Sequence, residues 1–333
     1  MRRPALVSVA IGVVALVVAF ALLGGTQLLP SYLAAWLFCL GIPVGALAVL
    51  MALEIAGAAH AAVAGPLRNV VMPLPVLAIL ALPVLWQADA LFGLQGVTTL
   101  FVLRSVVFLV LWTLLSLIFM RRPARADSPR RAVAIVGLIA HVIVGTVAAT
   151  DWALSLDPDL GSFSFGLLLM ISQCGAAVSV AVLLAAWSAR AWTAPRGLAA
   201  LFLCLLAAWV FLEFTQFLIV WSANLPKEVA WYQRRGDGFG LAAEWTAIGA
   251  CAAALLILLP RQYEVLTVSL AIAAGAVLFA HLIEIFWLIT PAFRDRLVVT
   301  APDLLAVCGL GGLLIGASLL FGRWTEDRRG HVA

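Results

Sequence analysis

Charge is scarce in this chain: Asp, Glu, Lys and Arg make up 11% of its 333 residues, against 65% hydrophobic. A water-soluble domain is about half apolar and about a quarter charged. Folding on itself cannot keep this much apolar surface out of water. No polar stretch is long enough for a soluble domain or a catalytic headpiece. The five cysteines, Cys39, Cys174, Cys204, Cys251 and Cys308, each stand alone in an apolar run, and no C-x-x-C occurs. This argues against an iron–sulfur cluster or zinc site held by the chain, and the cysteines are expected as small buried side chains. Gly-rich phosphate loops, nucleophile elbows and metalloprotease motifs are absent as well.

What is present is a series of apolar runs, with a mean hydropathy of +1.14. Each run is about 20 residues, the length that crosses a hydrocarbon core as helix, and none alternates with the period of barrel strands. The expected fold is an all-α polytopic membrane protein, one integral domain with ten transmembrane helices. They are placed at 5–24, 31–54, 70–87, 98–120, 131–150, 163–187, 197–222, 240–259, 264–289 and 301–321. The first run follows Arg2-Arg3 and exceeds the roughly 7–15 apolar residues of a signal peptide, so it is read as a retained span.

The net charge of +4 and pI near 9.0 do not point to nucleic acid, because the arginines lie in short loops between apolar runs. With a cytoplasmic N-terminus, 14 of the 20 basic residues fall on the cytoplasmic side, the clearest anchor being Arg121-Arg122-Pro123-Ala124-Arg125. The other side holds Lys227, Arg234, Arg235, Arg294 and Arg296, and Arg104 stands inside a span. By the positive-inside rule both termini are cytoplasmic, in a bacterial inner membrane. Among the 12 tryptophans, Trp86, Trp152, Trp221, Trp231, Trp245 and Trp287 are expected in an aromatic belt at the outer interface. Trp187, Trp192 and Trp324 are expected at the inner one.

An ionisable group in lipid is costly and marks function by default. The candidates are Arg104, His141, Asp151, Glu213, Gln216, Glu244, His281, Glu284 and Asp303, with Glu54 on the cytoplasmic side. Most lie in the outer half: Glu213 about 12 Å and Glu284 about 8 Å below their helix exits, at 1.5 Å per residue. Glu213 and Gln216 share a helix face, as do His281 and Glu284, and Arg104 is expected to neutralise one carboxylate. Such residues suit a path for protons, or a site for a polar quinone head group, opening outward. Carboxylates and imidazoles accept the proton that a quinol hydroxyl releases on oxidation. A structural ion-pair network that fixes helix packing is the competing reading. His141 and His281, at depths about 6 Å apart, are expected as hydrogen-bonded polar residues rather than haem ligands.

Two stretches carry a family likeness. One is Thr150-Asp151-Trp152-Ala153-Leu154-Ser155-Leu156-Asp157-Pro158 with residues 163–173. The other runs from Phe214-Thr215-Gln216-Phe217 through Trp221 and Asn224-Leu225-Pro226-Lys227-Glu228 to Trp231-Tyr232. Both, with residues 281–293, resemble the ActF-type membrane subunit of alternative complex III, a quinol:cytochrome c oxidoreductase. The likeness covers about residues 30–322. It implies an NrfD-like architecture of two four-helix bundles plus flanking helices, with no cofactor bound by this chain. It also implies a quinone-associated or proton-conducting role beside an NrfD-like paralogue that holds the main quinol site. An iron–sulfur subunit and c-type cytochromes on the outer side would be further partners. Glu213 departs from the pattern, which has a small or neutral residue there. A secondary transporter or ion-conducting protein is the alternative, but Pro43, Pro75 and Pro83 are not placed as the paired helix breaks of a transporter repeat.

Overall fold

The sequence is apolar around whole helical turns, and in such a chain every backbone polar group must be satisfied within its own segment. The computed structural model meets this demand with helices alone among the described residues, which are 2–58, 63–121, 128–188, 198–236, 239–259, 267–294 and 297–327. Arg122, Arg125, Arg190, Trp192, Arg196, Arg261, Arg296, Arg328 and Arg329 lie outside them, as do the side chains of Arg2, Arg323 and Trp324. The helices are α1 (Arg2–Ile55), α2 (Ala64–Val71), α3 (Leu74–Ile79), α4 (Leu82–Trp86), α5 (Ala88–Phe92), α6 (Thr98–Phe119) and α7 (Ser128–Trp152). After them come α8 (Phe165–Ser188), α9 (Leu198–Ala223), α10 (Pro226–Gly236), α11 (Phe239–Leu258), α12 (Thr267–Ile289) and α13 (Ala301–Asp327).

Ten stretches among these residues are long and apolar enough to cross a membrane, and they match the expected spans closely. This is an all-α, multi-pass membrane protein. The first two spans, Arg3–Leu22 and Gln27–Ile55, lie within α1. The loop expected at 25–30 is absent; the break is the single residue Gly24, at φ 70 and ψ 164, a backbone region open mainly to glycine. The third span, Ala64–Trp86, is a broken helix interrupted around Pro73, Pro75 and Pro83, where the ring removes a donor and blocks the preceding turn. Two freed carbonyls find partners on the second span: Tyr32 donates to Leu80 O (2.7 Å) and the Trp36 indole to Leu77 O (2.9 Å).

Gln27–Ile55 is the central helix, with 89% of its apolar window buried. It packs with α2–α7 as one group, while α8, α9, α11 and α12 pack as a second. The groups meet where α1 crosses α8 with almost no separation. A Cβ on Gly45 would stand 2.2 Å from Gln173 O. Outside both groups, the first span packs on α13. Gly12, Gly309, Gly312 and Gly316 bring the backbones together there, and Ser8 donates to Gly312 O (3.0 Å). Small residues are how helices approach closely in lipid.

The seventh span stops as expected at Asn224, whose φ of 48 is left-handed. Pro226 then starts a new helix instead of a loop. Proline suits a first helical turn, where the missing N–H has no intrahelical partner. The resulting α10 lies across the end of the second bundle.

The belt expectation needs correction. Trp86, Trp221, Trp245 and Trp187 are exposed, but Trp152, Trp231 and Trp287 are buried. The indoles of Trp152 and Trp287 donate inward, to Ser105 Oγ (3.0 Å) and Arg235 O (3.3 Å). Cys204 and Cys308 are likewise exposed rather than buried; Cys39, Cys174 and Cys251 are buried.

Candidate functional site

Apart from Glu54, the polar residues expected inside the spans sort into five separate groups. Arg104 and Asp151 pair at the ends of α6 and α7: NH2 donates to Oδ1 at 2.7 Å, and Nε stands 2.7 Å from Oδ2 with its N–H aimed elsewhere. With 41% of its side chain exposed, Arg104 sits at the rim. Asp303 caps α13 by accepting from Thr300 N (2.8 Å) and Thr300 Oγ1 (2.7 Å), the reach-back arrangement of a capping box. It also binds Arg294 (2.8 and 2.9 Å) and Ser31 (2.6 Å), locking α13 to the second span. Gln216 accepts from Ser162 and Ser164, tying the α7–α8 connection to α9. His141 accepts at Nδ1 from the Trp112 indole (3.2 Å), beside Trp36, Trp112 and Trp152, whose rings meet edge to face. These four groups fasten helices together. At the opposite end of the bundle, Glu54 is held by Arg130 (3.1 Å).

The fifth group is different. It lies in the second bundle and draws on four helices. Ser172 of α8 donates to Glu284 Oε2, and the Trp209 indole of α9 donates to Glu284 Oε1 (3.1 Å). His281, one turn from Glu284 on α12, places Nδ1 2.7 Å from Ser172 Oγ and 3.2 Å from Glu284 Oε2. Glu213, one turn beyond Trp209 on α9, is within electrostatic range of Glu284 and of Glu244 on α11. Among the described residues, none of these three glutamates has an ion pair with arginine or lysine. Glu284 is buried and Glu213 and Glu244 are half-buried, and carboxyl and imidazole groups set side by side are of the kind that accept and pass protons.

A roof closes the group at the α10 end. Burial, then the neighbouring Glu213 and Glu244, push the Tyr232 phenol above its ordinary pKa. Its ring meets Phe217, Trp231 and Trp287 at centroid distances of 5.0–6.2 Å. Arg235, 1% exposed, lies 3.6 Å over the Trp231 ring and donates to Asp157 (2.9 Å) and to Leu288 O at the end of α12 (3.0 Å). Burial lowers its pKa and Asp157 opposes that shift. Arg234, more exposed, binds Asp157 (2.6 Å) and Asp159 (2.8 Å). Asp157 thus does more than turn a loop: it anchors α10.

A small cavity adjoins the group, bordered by Ser172, Gly175, Phe202, Leu206, Trp209, Cys251, Val277, His281 and Glu284. It offers about 20 Å³ to the centres of water-sized molecules. That admits a water, which needs about 10–15 Å³ on this measure.

Sequence reasoning found four members of this group, Glu213, Glu244, His281 and Glu284, and missed Ser172, Trp209, Tyr232 and Arg235. Trp209 was accessible through its four-residue spacing from Glu213. From the sequence Arg235 reads only as a loop charge, although Asp157, Trp231 and Trp287 lie in the same family-like stretches.

Neither a model of a known protein family nor a curated protein matches the chain.

Proposed function

We propose that the protein is a cofactor-free membrane subunit of a bacterial respiratory quinol:cytochrome c oxidoreductase, or one with a related acceptor, of the ActF type. Its second bundle conducts protons. The observation that carries this reading is the set Ser172–His281–Glu284, hydrogen-bonded between α8 and α12, with Glu213 and Glu244 on neighbouring helices, none of the three glutamates ion-paired to arginine or lysine among the described residues, and Tyr232 at one end of the bundle. The distribution of arginines makes that end the outer one and puts both termini in the cytoplasm. The likeness of residues 150–173, 214–232 and 281–293 to the ActF-type subunit supplies the respiratory context.

In this role protons move between neighbouring groups. Glu284, held by Ser172 and Trp209, passes a proton to Glu213, and Glu213 to Glu244 beneath Tyr232. Electrons do not pass through the chain. Quinol oxidation belongs to an NrfD-like paralogous subunit, and an iron–sulfur subunit and c-type cytochromes carry the electrons onward. The α10 roof, with Lys227, Gln233 and Arg234 exposed, suits contact with such partners.

A transporter is the second reading, favoured by the broken third span, since transporters bind ions at broken helices. Its counterpart in the second bundle, α9, is continuous, and two carbonyls of the break are taken by Tyr32 and Trp36 rather than left for an ion.

Purification of the native complex in mild detergent separates the readings. Co-elution with haem- and iron–sulfur-bearing subunits, with no visible absorption from this chain once separated, is the expected result. A chain that purifies alone and transports a solute in liposomes contradicts it.

A further inference from the structure

His281 is 2% exposed, and its Nδ1 is engaged by Ser172 and Glu284, yet its Nε2 is buried with no hydrogen-bond partner. Folded proteins rarely leave such an atom unpaired, and a bound water is a common reason when one is found. The same imidazole borders the cavity described above. An orphaned ring nitrogen and a space of one-water size therefore coincide.

We infer that this cavity is a binding site for a single ordered water, held by His281 Nε2 with Glu284 and Cys251 in its wall. The chemistry selects water over other small ligands. Ser172 has one hydroxyl proton. When Ser172 gives it to Glu284, Nδ1 carries the ring hydrogen and Nε2 needs a donor. When Ser172 gives it to Nδ1, Nε2 carries the hydrogen and needs an acceptor. Water serves in both states, whereas an ammonium ion serves only the first and a halide only the second. Phe202, Leu206 and Val277, elsewhere in the wall, are apolar and buried.

The site's use rests on the proton-conducting reading, although its existence does not. A protonated water at Nε2 gives one proton to the ring as Nδ1 releases its own to Ser172 Oγ. The Ser172 hydroxyl proton then passes to the Glu284 carboxylate. Water and serine end neutral, the imidazole is left as its Nε2–H tautomer, and one proton has moved to Glu284.

High-resolution cryo-electron microscopy of the purified protein in nanodiscs tests the site. The expected result is a discrete density peak about 2.7–3.2 Å from Nε2. A well-resolved His281 with no such peak overturns the inference. Gly175→Ala is the second arm: a Cβ there meets only Val277 Cγ1, at 3.5 Å, so the fold tolerates it while the methyl takes cavity space. Loss of the peak in this variant supports the assignment, and an unmoved peak overturns it. Proton release measured on the same variant bears separately on the function. A slowed release supports the relay. An unchanged release, with the peak lost, removes the proton route and leaves the water site standing.

Discussion

Two histidines, each on the last helix of its bundle, show how much a side chain's partners decide. His141 is capped by a tryptophan N–H and packed among rings, a setting that stabilises structure. His281 shares a serine and a glutamate, a setting that relays protons. His141→Ala should therefore lower stability by roughly 2–3 kcal/mol, as for other buried hydrogen-bonded side chains, and leave proton release per quinol intact. His281→Ala should slow proton release on the order of 10²-fold, the low end for a positioned proton-transfer group. Thermal unfolding and a pH-indicator assay on the two variants check the contrast. Charge in an apolar run is conspicuous, so both histidines and the glutamates were legible in the sequence. Serine and tryptophan give no such signal, and Ser172 and Trp209 emerged only when helices α8, α9 and α12 were brought together.

Helix existence and span length followed from hydropathy, but interruptions and contacts between helices did not. Nothing in the apolar run around Gly45 distinguishes it from other glycines, yet it is where the two bundles touch. Gly45→Val should drive the backbones apart and lower stability by about 3 kcal/mol, the upper part of the range for overpacked cores, measurable as an earlier unfolding transition in detergent. The short helix α10 was hidden for another reason. A helix stop at Asn224-Leu225-Pro226 was correctly placed, but proline also starts helices, and the residues after it read as an outer loop. Arg235 fastens that helix to α12. Arg235→Ala leaves Leu288 O without its partner and Asp157 with Arg234 alone. It should cost about 2 kcal/mol and raise hydrogen exchange in residues 226–236 while leaving exchange in α8 and α9 unchanged.

At the scale of the whole molecule, the charged residues expected inside the spans do not form one site. Arg104–Asp151 and Arg294–Asp303 are fasteners at helix ends, and the second bundle alone carries a connected set. Depth along a helix is readable from sequence; the bundle to which a residue belongs is not. Which end faces outward can be tested directly. Lys227, exposed at the start of α10, replaced by cysteine should react with a membrane-impermeant maleimide in intact spheroplasts, and labelling only after lysis would reverse the assigned orientation. The proton route itself is tested most directly by Glu213→Gln, which keeps the side chain's shape and removes its exchangeable charge. In the isolated complex reconstituted in liposomes, a quinol pulse should still reduce the acceptor in this variant, while proton release on the α10 side falls on the order of 10²-fold. Electron transfer and proton release both equal to those of the unaltered protein would contradict the account.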